Sequence, residues 1–216
     1  MNPSDPVVSE YVSSAGSLCG MHEFAKVHNY NLVLKPLRGT GGNGVYHTRS
    51  GKELEEAVLK LFAKDYALVI SPYLEIQDEF RVIVLKGIVR LIYRKVRPCV
   101  VGDGVHSIHE LCGKGGAEIP AIGEVHYTEW RHNLGHGAHA ELIGTSTDLE
   151  ILANNTATAL NLQFCSVDIV KTVSGETMVL EVNSGVMMDS LIKEIGPTIP
   201  TEIYTDAILA CMQTQL

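Results

Sequence analysis

Asp168, Glu181 and Asn183 carry the oxygen atoms with the most chemical promise in this chain. They lie within residues 163–185, where two β-rich runs flank Ser174-Gly175, a dipeptide that favours a tight turn. With those two residues as the loop of a hairpin, Asp168 faces Glu181. Side chains alternate faces with period two, so Asn183 shares the face of Glu181, about 6.7 Å further along the strand. Like charges placed opposite each other repel, and Asp168 sits in an apolar run with Phe164, Val167, Ile169 and Val170. Something positive is therefore expected between these oxygens. Hard oxygen ligands of this kind suit Mg2+ or Mn2+ held jointly with substrate phosphates. The plainer alternative is a solvent-facing strand pair whose carboxylates repel a little. Asn183 on the same face, with Gly185 just beyond, favours the metal.

A second set of residues could handle phosphate. Asn31 to Pro36 reads as a strand bearing Lys35, followed by a glycine loop and the β-formers Val45, Tyr46 and Thr48. Gly39-Thr-Gly41-Gly-Asn-Gly44 matches the dinucleotide fingerprint in letters alone, because that fingerprint needs a helix directly after the loop. It is not a P-loop either, since no Gly-Lys-Ser/Thr closes it. A strand–glycine loop–strand flap can lay backbone N–H groups over a phosphate chain, with Lys35 neutralising charge. A flexible hairpin with an exposed lysine accounts for this segment equally well.

A third set is cationic. Arg81, Arg90, Arg94, Lys95 and Arg97 cluster in two strands joined at Lys86-Gly87, and the density suggests that some face an anion. Residues 113 to 146 are polar and glycine-rich, with Arg131-His-Asn-Leu-Gly-His-Gly-Ala-His139 at their centre. His126, His132, His136 and His139 could suggest zinc, but without helical periodicity or a third ligand type a substrate loop is the better reading.

The elements that must position these residues follow from periodicity and punctuation. Residues 1 to about 30 read as a loose arm with a short helix near Met21 to Val27. Ser50-Gly-Lys-Glu53 is a capping box opening a helix whose Leu54, Ala57, Val58, Leu61 and Phe62 repeat at helical spacing. Ala67 to Leu74 is an apolar strand broken by Pro72, which closes a first lobe at about residue 74. In the second lobe, Val100 to His106 forms a turn, and Ser107-Ile-His-Glu110 is a second capping box. Thr147-Asp-Leu-Glu150 is a third, with Leu149, Leu152, Thr156, Ala159 and Leu160 lining one helix face. Helices are expected over Met187 to Ile195 and Glu202 to Met212, separated by Pro197 and Pro200.

Composition sets the outer bounds. With 216 residues, 45% hydrophobic, the chain can bury a substantial core as one domain or two small lobes. A net charge of −8 argues against binding a nucleic-acid backbone. Five cysteines, widely spaced and without Cys-x-x-Cys, read as reduced thiols of a cytoplasmic protein, most of them core filler. The N-terminus lacks the basic and apolar regions of a signal peptide, and no apolar run is long enough to span a bilayer, so no membrane role is expected.

Taken in order, these parts resemble the ATP-grasp superfamily. Those parts are a Lys-bearing strand, a glycine flap, a strand–Pro–Tyr hinge, and an Arg-rich meander ending in Val-Val-Gly-Asp-Gly. An Asn-Leu-x-x-Gly loop and Val-Asp…Glu-Val-Asn complete the pattern. Within the superfamily the chain is most similar, over roughly residues 31 to 190, to amide ligases related to cyanophycin synthetase, ribosomal S6 glutamate ligase and bacterial glutathione synthetase. The resemblance implies an α+β fold with ATP between two α+β lobes: an arm over 1–30, a small lobe over 31–74 and a large lobe over 75–216. It implies Lys35 on the α/β-phosphates, Gly41, Gly42 and Gly44 with Val45 as the flap, and Ser71, Tyr73 and Leu74 in the adenine hinge. Asp168, Glu181 and Asn183 would hold two Mg2+ (or Mn2+) ions. Arg81 and Lys95 would lie near the transferred phosphate and the acceptor carboxylate, and Asn133 in the loop over the active site. The implied reaction is ATP-dependent carboxylate–amine ligation through an acyl phosphate, on small-molecule or peptide substrates.

Three departures accompany the resemblance. Ser71-Pro72 stands where relatives carry an acidic or amide residue, and Lys95 stands where arginine is common, turning a bidentate contact into a point charge. Relatives also carry a further α/β domain ahead of the first lobe, which is expected to be absent here. The chain would then be a minimal ligase, a fragment, or one completed by a partner or by self-association. A nucleotide-binding module without turnover, and a zinc protein built on the histidine loop, are the competing expectations.

Overall fold

The structure, a computed structural model, describes residues 10–13, 18–39, 41–64, 67–111 and 120–213. Thr40 of the glycine loop, Cys112, the side chain of Cys19, residues 113–119 of the polar stretch and the rest of the expected N-terminal arm lie outside them. The chain divides into two compact units, Met1–Glu75 and Ile76–Leu216.

In the first unit, strands β1 (Glu10–Ser13), β2 (Leu32–Pro36), β3 (Tyr46–Thr48) and β4 (Ala67–Pro72) form an antiparallel sheet in the order β1-β4-β2-β3. Residues Glu10–Ser13, expected within a loose arm, are thus an edge strand, with Glu10 opposite Ile70. Four residues are too few to display a period, and the pairing partner lies far along the chain. Helices α1 (Leu18–Val27) and α2 (Gly51–Phe62) supply the rest of the core. Met21, Ala25, Leu54, Ala57, Val58 and Leu61 pack with Leu32, Leu34, Leu68 and Ile70, while Phe62 is only half-buried. The expected capping box opens α2: the Glu53 N–H donates to Ser50 Oγ at 3.3 Å. Its returning bond goes one residue further back, from the Arg49 N–H to Glu53 Oε2 at 2.6 Å.

The second unit is built on a five-stranded antiparallel sheet in the order β11-β10-β5-β6-β9. The strands are β5 (Ile76–Leu85), β6 (Ile88–Val96), β9 (His139–Ile143), β10 (Phe164–Thr172) and β11 (Thr177–Asn183). β7 (Cys99–Val101) and β8 (Val125–Tyr127) pair separately, and α3 (Ile108–Leu111) follows β7. The stretch read as a substrate loop therefore contains β8 and the edge strand β9. Its glycines and histidines mask any alternation, and β9 is held by Tyr93↔Leu142 and Arg94↔Glu141, partners about fifty positions away.

Both faces of this sheet are covered. On one, α4 (Thr147–Ala159) packs Leu149, Ala153 and Ala157 onto Phe80, Val82, Val84, Ile92, Cys165, Val167 and Ile169. Leu160 is 54% exposed, so the buried stripe runs along 149, 153 and 157 rather than out to Ala159 and Leu160. The N-cap of α4 is Ser146 rather than Thr147, which is already helical. The Glu150 carboxylate reaches back to the Ser146 N–H at 3.1 Å.

The other face has two uses. One half is apolar: Ile83 and Tyr93 lie beneath Val186, Met188, Leu191 and Ile203 of the segment carrying α5 (Asp189–Ile195) and α6 (Thr198–Gln213). The other half carries charges. Pro200 lies inside the first turn of α6 rather than between helices, because the N–H it lacks has no intrahelical partner there. The Tyr204 hydroxyl donates to Val186 O (2.9 Å) and accepts from the Met188 N–H (3.2 Å), pinning the chain just beyond β11.

The β10–β11 hairpin differs from a two-residue turn. The Thr172 N–H donates to Glu176 O, so the loop is Val173-Ser174-Gly175, with Gly175 at φ +89°. That shifts the register near the turn by one residue, giving Ile169↔Val179. Leu180 is then an extra residue on β11, a bulge that restores the expected Asp168↔Glu181 and Ser166↔Asn183 pairs. Of the cysteines whose side chains are described, Cys165 fills core, whereas Cys99 and Cys211 are exposed. Both sit on elements with one solvated side.

Candidate functional site

In the second unit the charged half of the sheet is written by cross-strand register. Tyr93 pairs Arg81, Arg81 pairs Asp168, and Asp168 pairs Glu181, so four strands place these side chains on one face. Two residues back along β5 and on along β6, Glu79 and Lys95 fall on that same face. The Arg81 guanidinium forks onto Asp168, Nε to Oδ1 and Nη2 to Oδ2, both at 2.7 Å. Lys95 Nζ lies 3.0 Å from Asp168 Oδ2 and 2.5 Å from Glu79 Oε1. Asp168, Lys95 and Glu79 are 3%, 6% and 7% exposed, so these are charges taken out of water.

Burial costs a charge unless a partner compensates, and the titration directions report who compensates whom. Burial alone would push the Asp168 carboxyl up, but Lys95 and the Arg81 fork outweigh it and hold it below the usual carboxylate range. Burial pulls Lys95 down, and Glu79 and Asp168 together more than reverse that. Glu79 is pushed up, because desolvation exceeds the pull of Lys95. Burial likewise raises the Tyr93 phenol, against the pull of Arg81 and Lys95. The positive charge expected beside Asp168 is thus supplied, within the fold, by Arg81 and Lys95.

Glu181 is exposed and Asn183 half-buried at the open end of this row. Their fit to a hard divalent ion can be judged from donor chemistry. Asp168 Oδ2 already accepts from two cations, while Oδ1 accepts from one and keeps a lone pair. One such oxygen with the Glu181 carboxylate and the Asn183 carbonyl suits Mg2+, which takes one or two carboxylates and completes its shell with phosphate and water. Among the described residues no three His, Cys, Asp or Glu side chains gather to hold a metal ion. The histidines considered for zinc go elsewhere. His132 Nδ1 donates to Lys95 O at 2.9 Å, and His136 Nδ1 lies 3.3 Å from Arg131 Nη2. His126 and His139 lie beside Glu124 and Glu194.

The loop around Asn133 is tied to the same site. Asn133 Oδ1 accepts the Gly135 N–H at 2.8 Å and caps a short 3-10 turn over Leu134–His136, which Gly137 ends at φ +92°. Buried His132 anchors the loop to the backbone of the residue that bears the Lys95 ammonium. Arg131 forks onto Glu129, holding that carboxyl down to about 2.

The first unit holds its own group. Lys35 lies on β2 opposite Val69, on the strand face away from buried Leu32 and Leu34. Gly41, Gly42 and Gly44 take φ values of +68°, +72° and +74°, a backbone that side chains with a Cβ rarely adopt. Val45 leads from this turn into β3. Ser71 pairs Val33 near the end of β4, and the Tyr73 N–H donates to Asn31 O at 2.9 Å, with Leu74 following. The Tyr73 ring stacks on His47 at 3.9 Å and 8°, and His47 Nε2 is 2.7 Å from Asn31 Oδ1. Sequence reasoning missed Glu79, Tyr93 and His47. For Glu79 a signal existed, since it and Arg81 stand two apart in an otherwise apolar run.

Comparison with known proteins bears on the family and the fold. The model of the RimK-like ATP-grasp domain matches residues 21–207. A "Probable alpha-L-glutamate ligase" of Shewanella loihica is 28% identical over 173 residues, covering 80% of this chain and 48% of the relative. The chain thus spans about half the length of that relative. D-alanine–D-alanine ligase of Bacillus anthracis superposes with a TM-score of 0.59 at 17% identity, over 97% of this chain and 64% of that one. The ATP-grasp ligase PsnB, in complex with a precursor variant, Mg and ADP, gives a TM-score of 0.55 at 18% identity, over 94% and 53%. Likeness at such identities establishes the fold, mixed helices and antiparallel sheets of the ATP-grasp kind. With most of its length under that one domain model, the chain belongs to the RimK-like ATP-grasp family.

Proposed function

We propose that this chain is the ATP-grasp portion of a ligase that joins a carboxylate to an amine at the expense of ATP. The observation that carries the reading is the sheet face on which buried Lys95 and Asp168 and half-buried Arg81 form a charge cluster beside Glu181 and Asn183. In the first step a carboxylate oxygen attacks the γ-phosphorus of ATP and ADP leaves, giving an acyl phosphate. In the second, an amine attacks the acyl carbon and phosphate leaves. Little covalent chemistry falls to the protein, so its work is positioning and charge neutralisation.

Arg81, oriented by its fork on Asp168, presents its remaining N–H groups to the transferred phosphoryl group. Lys95 supplies a second fixed positive charge to the acceptor carboxylate. The Asn133 amide reaches the substrate from the capped turn. Lys35 neutralises the α/β-phosphates beneath the Gly41, Gly42, Gly44 and Val45 flap, and Ser71, Tyr73 and Leu74 receive the adenine. Asp168, Glu181 and Asn183 would hold two Mg2+ ions, whose chemistry when bound is to offset phosphate charge. The name of the Shewanella loihica relative makes glutamate the first substrate to test, as carboxylate or as amine, and widely spaced cysteines without Cys-x-x-Cys support work in the cytoplasm. Among the described residues no helix is long and apolar enough to cross a membrane.

A second reading, an ATP-binding module without turnover that a partner completes or that is regulatory only, is favoured by the 48% coverage of the glutamate-ligase relative. Mg2+-ATP, a panel of carboxylates and hydroxylamine separate the two. The ligase reading expects ADP and hydroxamate in equal amounts with at least one acid. Tight ATP binding with no hydroxamate from any acid rejects it in favour of the module.

A further inference from the structure

We propose that Glu79 is a positioning residue that orients the Lys95 ammonium, through which it serves the ligase reaction. The role assigned to Lys95 rests on the reading above; the contact does not. A lysine ammonium has three N–H donors on a freely rotating bond at the end of a four-carbon stem. One partner leaves it free to swivel. Two partners on different strands fix it, and Lys95 has two: Glu79 Oε1 on β5 and Asp168 Oδ2 on β10. The third donor then points in one direction, and no partner for it is seen among the described residues.

Stability alone gives a poor account of Glu79. Its neighbours on the other face of β5, Phe80 and Val82, are buried hydrocarbon, and a buried carboxylate is costlier to hold than an apolar residue of similar volume. Asp168 could not hold Lys95 alone, because it is already shared with the Arg81 fork. Glu79 gives Lys95 an anion of its own, so that two carboxylates and two cations close into a balanced group. Buried Lys95 is further held by His132 at its backbone carbonyl.

In 15N- and 13C-labelled protein the Lys95 ammonium, assigned through its own side-chain carbons, is expected as a resonance protected from exchange with water. Glu79→Ala is expected to abolish that protection, and Glu79→Gln to keep part of it by retaining an acceptor. Glu79→Asp keeps the charge for folding but withdraws it by one carbon, and is expected to behave like Ala. In turnover, Glu79→Ala and Glu79→Asp should lower kcat about 10²-fold with KM for ATP almost unmoved. Glu79→Ala should cost nothing further in a Lys95→Ala background. A Lys95 resonance unprotected in the unsubstituted protein, or still protected in Glu79→Asp, overturns the proposal, as do additive losses in the double variant. If the unsubstituted protein turns over no ATP, the ligase reading fails by itself, and the resonance still decides the part played by Glu79.

Discussion

Asp168 commits both carboxylate oxygens to cations at 2.7–3.0 Å while 97% of its surface is out of water. Removing it leaves buried Lys95 and half-buried Arg81 without their shared anion. Asp168→Ala should therefore lower unfolding free energy by about 3–5 kcal/mol, measured by urea titration. A cost below about 1 kcal/mol would mean that the cluster relaxes into water. Arg81→Lys keeps the charge but loses the fork, so it should cost more in kcat than in KM for ATP. Glu129 gives a test in pH. Its folded value, held to about 2 by Arg131, lies below the ordinary 4.5, so it adds stability above pH 4.5 that is lost as pH falls toward 2. The two side chains keep 22% and 19% of their surface in water, so salt screens the pair. Glu129→Gln should flatten that part of the melting-temperature profile, and the flattening should shrink in high salt.

At the scale of elements, the β10–β11 hairpin shows what local pattern can and cannot specify. Period-two alternation put Asp168, Glu181 and Asn183 on one face, as observed. The turn itself is a residue longer than Ser174-Gly175 suggested, and the bulge at Leu180 absorbs the difference. Gly175, at φ +89°, tolerates a Cβ poorly. Gly175→Ala should thus cost about 1–2 kcal/mol, yet leave ATP affinity within about twofold, because the register at Asp168 is reset beyond the bulge. A large loss of affinity would show that the turn, not the bulge, sets the site. What stayed illegible was non-local. Arg81 meets Asp168 from 87 positions away, and nothing near either residue encodes that β5 and β10 are neighbours. The same holds for β9, whose glycine- and histidine-rich surroundings read as loop until it is paired with β6.

For the whole molecule, two compact units, one with a glycine flap and one with the charged sheet face, carry the parts that the family resemblance assigned to phosphate and metal. The acidic net charge of −8 coexists with a sheet face whose Arg81 and Lys95 balance Glu79 and Asp168, so bulk charge and local charge answer different questions. The order of elements along the chain was readable because capping boxes, glycine turns and apolar periods are local signals. The identity of the carboxylate was not, since it depends on surfaces that no short motif describes. If a carboxylate is activated by phosphoryl transfer, one of its oxygens must leave with the phosphate. Turnover of an 18O-labelled carboxylate with Mg2+-ATP and its amine partner measures this directly. The account predicts one labelled oxygen in each inorganic phosphate released; phosphate free of label, with ADP still formed, would contradict it.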